Sequence, residues 1–575
     1  MIKIFRHLKP YTGLVVLLLL FLSGQAIADL YLPTLMSDVV NDGMVKGNIA
    51  YIWQYGSYML LIAAASGLCA IVGSYLSARA AVGLGTDLRN AVFERVESYS
   101  LHEIDKIGTA SLITRTTNDI NQVQMTVVMM MRFMISAPIM GIGGLIMALS
   151  KDRGLTVVLA VVLPVMVLIM AITARHVVPL FQSLQKKLDK VNLVMRENLT
   201  GIRVIRAFNR LDSERRRFDG ANGDLTDTSI RVNQILAVMQ PIMMLLFNLT
   251  SLSIIWFGGL RISQNNLGVG DMMAFLQYAM QIMFAFVMVA IMFIMIPRAQ
   301  ASANRINEVL DMPPEINDPQ LPKTAQGLRG DVEFRNVTFR YPGARLPALQ
   351  DISFHARPGE ITAIIGGTGS GKSSLINLIP RFYDAESGSV LVDGVDVREM
   401  DQQALRRKIG FVPQTAILFS GTIAENIRYG KEDATDEEVA HAAEVAQAME
   451  FISAMEEGFQ SPIAQGGTNV SGGQKQRLSI ARALVSRPEV YIFDDSFSAL
   501  DFKTDARLRA ALKHETTEAT VIMVAQRVST VMDADRILVL DDGEVVGVGA
   551  HRELLKSCDV YREIVSSQLS EEEIA

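Results

Sequence analysis

The sequence predicts a multi-domain protein in which an all-α part with six membrane-crossing helices is followed by an α/β part. Its 575 residues exceed the usual size of one domain. Half of them are hydrophobic, and the long apolar runs all lie before residue 300. The rest has the composition of a globular domain, and at 361–379 a strand pattern, a glycine-rich loop and a helix pattern follow one another directly.

Six apolar segments reach the length of about 20 residues that a membrane-crossing helix needs. We place them at roughly 14–37, 53–78, 127–150, 154–178, 235–260 and 271–297. The connections at 38–50, 151–153 and 261–270 are short, whereas those around 79–124 and 176–233 are long and rich in lysine and arginine. Because positively charged connections tend to stay inside, we expect the long connections and both termini to face the cytoplasm.

The predicted spans contain polar side chains that are costly in hydrocarbon, namely Gln25, Asp29, Arg132, Asn248, Gln277 and Gln281. Such groups line a substrate pathway or form hydrogen bonds between helices, and for the amides both interpretations stay open. Asp29 and Arg132 are the stronger candidates for a cavity, although Arg132 lies near a helix end. The 30 methionines suit either an adaptable apolar binding surface or ordinary packing.

Charge and cysteine content exclude several classes of protein. The net charge of −6 leaves no basic footprint, so no nucleic-acid partner is expected. Cys69 and Cys558 lie in different parts of the chain, which predicts two free thiols. The first apolar run continues past the length of a cleavable signal peptide.

A polar stretch follows the last span, and we place domains at 1–312 and 331–575, joined by a linker at 313–330.

The glycine-rich loop fits the pattern G-x-x-x-x-G-K-[ST] of nucleotide hydrolases. Its residues and the serine after it are Gly366, Gly367, Thr368, Gly369, Ser370, Gly371, Lys372, Ser373 and Ser374. The glycines allow backbone N–H groups to surround phosphate oxygens. Lys372 is expected to reach the β- and γ-phosphates, and the Ser373 hydroxyl to ligate Mg²⁺.

A second apolar strand pattern, at 490–493, ends in two carboxylates. We expect Asp494 to hold Mg²⁺, because this ion prefers oxygen ligands. Asp495 stands where a base for the attacking water would stand. Tyr341 ends an alternating strand pattern and offers an aromatic ring for an adenine face, although alone it would be an ordinary aromatic at a strand end.

A third motif, Ser471-Gly472-Gly473-Gln474, precedes a helix pattern. Serine and glycine at a helix start form another anion-binding surface, here without a neighbouring lysine of the phosphate-loop kind. One chain therefore carries two phosphate-binding surfaces. The economical explanation is a dimer in which each nucleotide lies between the phosphate loop of one chain and the Ser-Gly-Gly-Gln motif of the other.

These motifs and the six preceding spans resemble an ATP-binding cassette (ABC) exporter half-transporter over nearly the whole chain. The resemblance implies ATP and Mg²⁺ as cofactors and makes Tyr341 the aromatic residue at the adenine. It further implies that Gln414 contacts Mg²⁺ and the membrane domain, and that Ser471, Gly473 and Asp501 bind the nucleotide held by a partner chain. The stretches 107–118 and 201–218 match those that carry the cytoplasmic coupling segments of the family.

Two positions depart from the family pattern. Asp495 replaces the usual glutamate, and Gln526 replaces the usual histidine of the switch. The aspartate carboxylate is set back by about 1 Å, and a displacement of that size can cost on the order of 10²-fold in rate. Glutamine can hydrogen-bond a γ-phosphate but cannot become a cation. The chain thus resembles the degenerate-site subunit of bacterial heterodimeric multidrug exporters, with a functional variant site in a homodimer as the alternative.

This resemblance implies ATP-driven export of lipophilic or drug-like molecules across the plasma membrane, with both termini and the nucleotide-binding domain cytoplasmic. The implied partners are a second half-transporter, membrane lipid and a hydrophobic small-molecule substrate. Three alternatives remain. The first is a homodimeric exporter of lipids or peptides, and the second is a regulatory ATP-binding membrane subunit. The third, a soluble cassette ATPase for nucleic-acid work, disagrees with the six spans and the mild acidity.

Overall fold

A computed structural model describes residues 2–324 and 329–569. The chain divides into two compact units. The first comprises Met1–Glu97 and Ala110–Met312, and the second comprises Ser98–Thr109 and Pro313–Ala575. Part of the predicted linker at 313–330, and the end of the predicted second domain, lie outside the described residues.

Long helices form the first half of the chain. In chain order they are α1 (Ile2–Phe5), α2 (Thr12–Asp38), α3 (Ile49–Glu97), α4 (Leu101–Ile107), α5 (Thr109–Thr114), α6 (Ile120–Lys151), α7 (Arg153–Ala207), α8 (Leu211–Ser263) and α9 (Val269–Asp311). Within the described residues, six helices are long and apolar enough to cross a membrane: Lys3–Met44, Ile49–Glu97, Thr109–Lys151, Arg153–Ala207, Leu211–Ser263 and Val269–Asp311. Each predicted span lies inside one of them, so the six-helix prediction is confirmed.

The helices are longer than a bilayer requires. At 55 residues, α7 is about 80 Å long, whereas the hydrocarbon core is about 30 Å thick. Helices α2, α3, α6 and α9 pack together, and α9 buries Phe275 and Tyr278 in their core. Helices α7 and α8 pack mainly along each other, with much less contact to the remaining helices.

A polar cluster ties three helices together near the short connections. The Lys151 ammonium lies 2.8 Å from the Asp271 carboxylate, which also accepts a 2.7 Å hydrogen bond from Ser37 and a 3.1 Å bond from Asn41. Helix α9 approaches α2 closely here, because a Cβ atom on Gly270 would lie 2.3 Å from the Ser37 carbonyl oxygen. Glycine is therefore required at this contact.

The described residues of the second unit form three sheets. The strands are β1 (Val332–Phe339), β2 (Leu349–Ala356), β3 (Ile361–Gly366), β4 (Ser387–Val392), β5 (Val395–Asp396), β6 (Ile409–Val412), β7 (Gly421–Thr422), β8 (Pro462–Ile463), β9 (Val490–Asp494), β10 (Thr520–Val524), β11 (Arg536–Asp541) and β12 (Glu544–Gly549). The sheet orders are β2-β1-β4-β5, β12-β11-β3-β10-β9-β6 and β7-β8. In the largest sheet β11, β3, β10, β9 and β6 are parallel, and β12 pairs antiparallel at the edge.

Helices cover the sheets of this unit. They are α10 (Lys372–Asn377), α11 (Gln402–Arg407), α12 (Ile423–Arg428), α13 (Asp436–Val445), α14 (Met449–Ser453), α15 (Gly472–Val485), α16 (Phe502–Glu515), α17 (Val528–Val531), α18 (His551–Ser557) and α19 (Asp559–Ser566). Strands β9 and β10 are buried along their whole length, which explains their unbroken apolar sequences. Because β3, β10 and β9 are parallel neighbours, their carboxyl ends meet at one sheet edge, where ligands bind in such folds.

The connection between the second and third spans contributes helix α4 to the second unit. Ser100 caps α4, and the Glu103 carboxylate accepts a 2.8 Å hydrogen bond from the Ser100 backbone N–H. The other Glu103 carboxylate oxygen accepts a 2.7 Å hydrogen bond from the Glu315 backbone N–H. Thus α4 is attached to the first residues after the last span.

Candidate nucleotide-binding site

The phosphate loop joins β3 to α10 through glycines in left-handed backbone conformations. Gly369 has φ +87° and Gly371 has φ +95°, values that other residues rarely adopt. A Cβ atom on Gly371 would also lie 2.7 Å from the Ala348 carbonyl oxygen. The loop therefore needs glycine both for its backbone turn and for its close packing.

Lys372 turns back over the loop. Its ammonium donates to the carbonyl oxygens of Gly366 at 2.9 Å and Gly367 at 2.6 Å. Burial lowers the pKa of Lys372, while the Asp495 and Asp494 charges act in the opposite direction. The cation thus lies where a loop-bound phosphate would be.

Two of the three predicted Mg²⁺ ligands, Ser373 and Asp494, are in contact. The Ser373 hydroxyl donates to the Asp494 carboxylate at 3.2 Å. Burial raises the pKa of Asp494; the Ser373 hydrogen bond and Lys372 oppose this rise, and Asp495 adds to it. Among the described residues, no group of three or more His, Cys, Asp or Glu is arranged to hold a metal ion. A hydroxyl and a carboxylate fit Mg²⁺, which keeps several waters and takes further ligands from phosphates.

Asp495 lies beside Gln414. The Gln414 amide nitrogen is 3.4 Å from the Asp495 carboxylate, near the outer limit of a hydrogen bond. The Asp495 backbone is left-handed, with φ +45°, and its N–H donates to the Val524 carbonyl oxygen at 2.9 Å. The Ser498 hydroxyl donates to the Asp495 carbonyl oxygen, also at 2.9 Å. The carboxylate is therefore carried on a backbone fixed from two sides.

Gln526 follows β10, and its side chain is exposed. Within the described part of the chain, the structure does not bring this side chain into a hydrogen bond with Asp495. Its backbone carbonyl oxygen instead accepts a 2.9 Å bond from the Gln568 amide. The Arg527 guanidinium donates to the Ser498 carbonyl oxygen at 3.1 Å. Sequence reasoning missed Gln568, because an isolated amide near the chain end carries no motif.

Tyr341 lies beside the phosphate loop. Its hydroxyl is 3.0 Å from that of Ser374, and its ring centroid is 4.8 Å from that of Phe339, edge to face. Tyr383 adds another edge-to-face contact at 5.4 Å. Burial, with a smaller effect of the Tyr341 phenol, raises the pKa of Tyr383 to about 12. The sequence analysis did not single out Tyr383, which completes this aromatic group.

The Ser-Gly-Gly-Gln motif forms the start of α15. The Ser471 hydroxyl accepts from the Gln474 backbone N–H at 3.3 Å, and the Gln474 side chain accepts from the Ser471 N–H at 2.8 Å. A Cβ on Gly473 would lie 3.2 Å from the Ala499 carbonyl oxygen. Asp501 caps α16 by accepting from the Thr504 N–H, and this hydrogen bonding lowers its pKa. These residues form a surface separate from the contacts of Lys372.

Several polar side chains of the spans form bonds between helices. Ser66 donates to Asp29 at 2.6 Å, Gln281 donates to the Asp29 carbonyl oxygen at 3.0 Å, and Arg132 donates to Ser74 at 3.1 Å. For these residues interhelical bonding is present, while a substrate pathway stays a prediction. Cys69 and Cys558 are free thiols, as predicted.

Comparison with known proteins identifies the family. Residues 15–286 match the ABC transporter transmembrane region, and residues 349–498 match the ABC transporter model. The chain is 44% identical over 567 residues to an uncharacterized ABC transporter ATP-binding protein of Mycobacterium tuberculosis (strain CDC 1551 / Oshkosh), covering 98% of this chain and 97% of the relative. This chain belongs to the ABC transporter family.

Other relatives have named activities. The chain is 32% identical over 579 residues to an ATP-dependent lipid A-core flippase of Chromobacterium violaceum, with coverage of 99% and 98%. It is 33% identical over 475 residues to a fatty acid ABC transporter ATP-binding/permease protein of Mycobacterium bovis, covering 82% of this chain and 75% of the relative. A solved bacterial Atm1-family ABC exporter with ATP bound superposes with a TM-score of 0.80 at 25% identity, covering 98% and 99% of the two chains.

The predicted fold class is therefore confirmed as a six-helix transmembrane domain followed by an ABC nucleotide-binding domain. The chain is an ABC exporter, a multi-pass membrane protein whose nucleotide-binding domain is cytoplasmic. It binds ATP, and ATP hydrolysis is coupled to transport across the membrane.

Proposed function

We propose that this ABC exporter is one subunit of a heterodimer, and that its own ATP site binds nucleotide but hydrolyses it slowly. The observation that carries the proposal is the pair Asp495 and Gln526. Both stand at positions where the family uses a longer carboxylate and an imidazole, and the phosphate loop beside them is intact. The side chains that bind ATP are therefore retained, and the two that are proposed to support its hydrolysis are replaced.

The roles of the other residues follow from their positions. The loop from Gly366 to Ser374 surrounds the phosphates, with Lys372 as their cation. Ser373, Gln414 and Asp494 hold Mg²⁺, which when bound supplies charge neutralisation at the phosphates. The Tyr341 ring contacts the adenine. Ser471, Gly473 and Asp501 complete the site of the partner chain.

The chemistry of Asp495 explains slow turnover. Its backbone N–H and carbonyl oxygen are bonded to Val524 and Ser498, so a backbone shift that replaced the reach of the missing methylene would break these bonds. A water held about 1 Å from its best position reacts on the order of 10²-fold more slowly. Gln526 adds to this loss, because an amide stays neutral where an imidazole can accept a proton and become a cation.

The hairpin of α7 and α8 supports a partner chain. These helices extend well beyond a bilayer, yet they pack mainly on each other. Apolar side chains near the tip are exposed in this chain: Leu199 by 70%, Val204 by 60% and Phe208 by 74%. Because lipid cannot bury apolar groups so far from the hydrocarbon core, we infer that a second half-transporter packs against them.

For the substrate we propose a hydrophobic small molecule of lipid-like or drug-like character. The names of the relatives favour lipids, since one is a lipid A-core flippase and another a fatty acid transporter. The methionines of the spans suit such ligands, because their side chains are flexible and polarizable. A homodimeric lipid exporter is the second candidate. We further propose domain boundaries at 1–312 and 331–575.

The double variant Asp495→Glu/Gln526→His tests the slow site. It is placed in lipid nanodiscs alone and together with a candidate partner, a half-transporter that has glutamate and histidine at the positions of Asp495 and Gln526. We expect turnover at this chain's own site to rise about tenfold or more, since the lost positioning can account for up to about 10²-fold. Because the proposed partner's site already hydrolyses ATP, this turnover is measured with the partner's site inactivated. The unmodified chain alone should show little ATPase.

Lys372→Ala added to the double variant is the control. If the gain arises at this site, the lysine change removes it and also abolishes labelling of this chain by a photoreactive ATP. Unchanged turnover in the double variant, or brisk ATPase by the unmodified chain alone, contradicts the proposal.

A further inference from the structure

We propose that Gln568 is a positioning residue for the switch segment, defined here as Gln526–Val528. The proposal rests on the proposed role of Gln526 at the nucleotide. Gln568 lies 42 residues further along the chain than Gln526, just beyond the end of α19. The C-terminal helix thereby becomes part of the machinery that orients the switch.

The main evidence is that the Gln568 side-chain amide forms two hydrogen bonds with the switch segment. The Gln568 carbonyl oxygen accepts from the Val528 backbone N–H at 2.8 Å. Its NH₂ group donates to the Gln526 backbone carbonyl oxygen at 2.9 Å. One planar group therefore binds the switch segment on both sides of Arg527, which restricts rotation of the intervening backbone.

The position of Val528 explains why this clamp matters. Val528 is the first residue of α17, and an N–H in the first turn of a helix has no acceptor within that helix. Arg527, the capping residue, provides no side-chain cap. The Gln568 amide supplies the missing acceptor from a distant part of the chain.

Packing keeps Gln568 in place. Val528 and Val531 share a buried apolar cluster with Tyr561 and Val565 of α19. The Gln568 N–H donates to the Val565 carbonyl oxygen at 3.0 Å, so the amide is attached to the end of that helix. The switch segment is thus held both by apolar contacts with α19 and by the hydrogen bonds of Gln568.

The opposite side of the switch segment faces the loop after Asp495. The Arg527 guanidinium donates to the Ser498 carbonyl oxygen at 3.1 Å, and the Ser498 hydroxyl donates to the Asp495 carbonyl oxygen at 2.9 Å. With Gln568 on one side and Ser498 on the other, the backbone from which the Gln526 side chain projects is held in place relative to Asp495. Loss of Gln568 should make this backbone more mobile without changing any group that is proposed to contact nucleotide.

The test compares Gln568→Met, which keeps the size but removes both hydrogen bonds, with Gln568→Glu, which keeps only the acceptor for Val528. Backbone hydrogen exchange is followed by mass spectrometry in the full chain in nanodiscs. We expect exchange across 525–531 to become about three- to tenfold faster in Gln568→Met, because each lost bond weakens local protection, and less so in Gln568→Glu. Dissociation of trinitrophenyl-ATP should accelerate in the same order.

Ser567→Ala is the matched control, because within the described residues the Ser567 hydroxyl bonds the Ile564 carbonyl oxygen of the adjacent helix and not the switch segment. Unchanged exchange at 525–531 in Gln568→Met, or faster exchange with unchanged nucleotide release, overturns the inference. Hydrogen exchange and nucleotide release are both measured independently of the ATPase gain expected in Asp495→Glu/Gln526→His. Failure of that gain contradicts the slow-site proposal alone.

Discussion

At the scale of single residues, the backbone of Asp495 matters as much as its length. Its φ of +45° lies in the left-handed region, which aspartate enters more readily than glutamate because its short side chain can bond locally. A glutamate there gains reach but carries some backbone strain. We therefore expect Asp495→Glu alone to recover only part of the turnover that the double variant recovers.

Asp494 carries a pH dependence. Burial raises its pKa above the ordinary value of 3.8, so this carboxyl binds a proton more readily in the folded chain than in the unfolded chain. The neutral carboxyl stabilises the fold at low pH, and this contribution is lost as pH rises through the raised pKa. Mg²⁺ competes with the same proton. Mg²⁺-dependent nucleotide binding should therefore weaken on acidification sooner than an ordinary aspartate would dictate.

Titration of trinitrophenyl-ATP binding between pH 5 and pH 8, with Mg²⁺ and with EDTA, measures this effect. Asp494→Asn should weaken the Mg²⁺-dependent part and remove its dependence on titration of this carboxyl, while leaving the titration of the nucleotide itself. A Mg²⁺ effect on binding that is unchanged in Asp494→Asn at every pH would show that the ion does not depend on this carboxylate.

At the scale of elements, α4 depends on a single buried carboxylate. Glu103 is only 3% exposed and serves the backbone N–H groups of both Ser100 and Glu315. Burial tends to raise its pKa, but the hydrogen bonds from Ser100 and Glu315 outweigh burial and lower the pKa below the ordinary 4.5. Its stabilising contribution is present above pH 4.5 and is lost as pH falls through the lowered pKa.

We expect Glu103→Ala to destabilise the second unit by about 1–3 kcal/mol, because it leaves two partly buried N–H groups without their acceptor. Thermal unfolding of the full chain should begin roughly 2–4 °C lower per kcal/mol. Glu103→Gln keeps an acceptor oxygen for Glu315 and should lose less. Equal midpoints for Glu103→Ala and the unmodified chain would exclude this role.

At the scale of the whole molecule, the α7–α8 hairpin links the fold to assembly. A hairpin that packs chiefly on itself leaves apolar side chains uncovered at its tip, Phe208 among them at 74% exposure. We propose that another chain docks on this patch, because exposed apolar patches outside the bilayer favour interaction with a partner.

Phe208→Asp should reduce co-purification with the proposed partner half-transporter at least about tenfold, since burying a phenylalanine contributes about 1.5–3 kcal/mol and an unpaired charge adds to the loss. Ser213→Asp is the control, because it adds the same charge to an exposed polar position near the tip. Equal recovery of partner with both variants would contradict a docking role for Phe208.

Local patterns let the sequence by itself determine much of this protein. Six apolar runs, a strand–loop–helix around Lys372 and a Ser-x-x-Gln helix start each lie within a few tens of residues. Their physics is local, because spanning length, glycine freedom and helix capping act between near neighbours. The six spans and the ABC domain were confirmed, whereas the roles of Asp495 and Gln526 stay predictions.

Only the tertiary structure decided which single polar groups meet. Glu103 and Glu315 are 212 residues apart, and Gln568 and Val528 are 40 apart. An isolated glutamate or glutamine forms no motif, and its partner is set only when packing brings two distant backbones within hydrogen-bond distance. The exposed tip of α7 and α8 is likewise visible only after folding, because sequence alone does not separate an apolar side chain that meets lipid from one that awaits a partner.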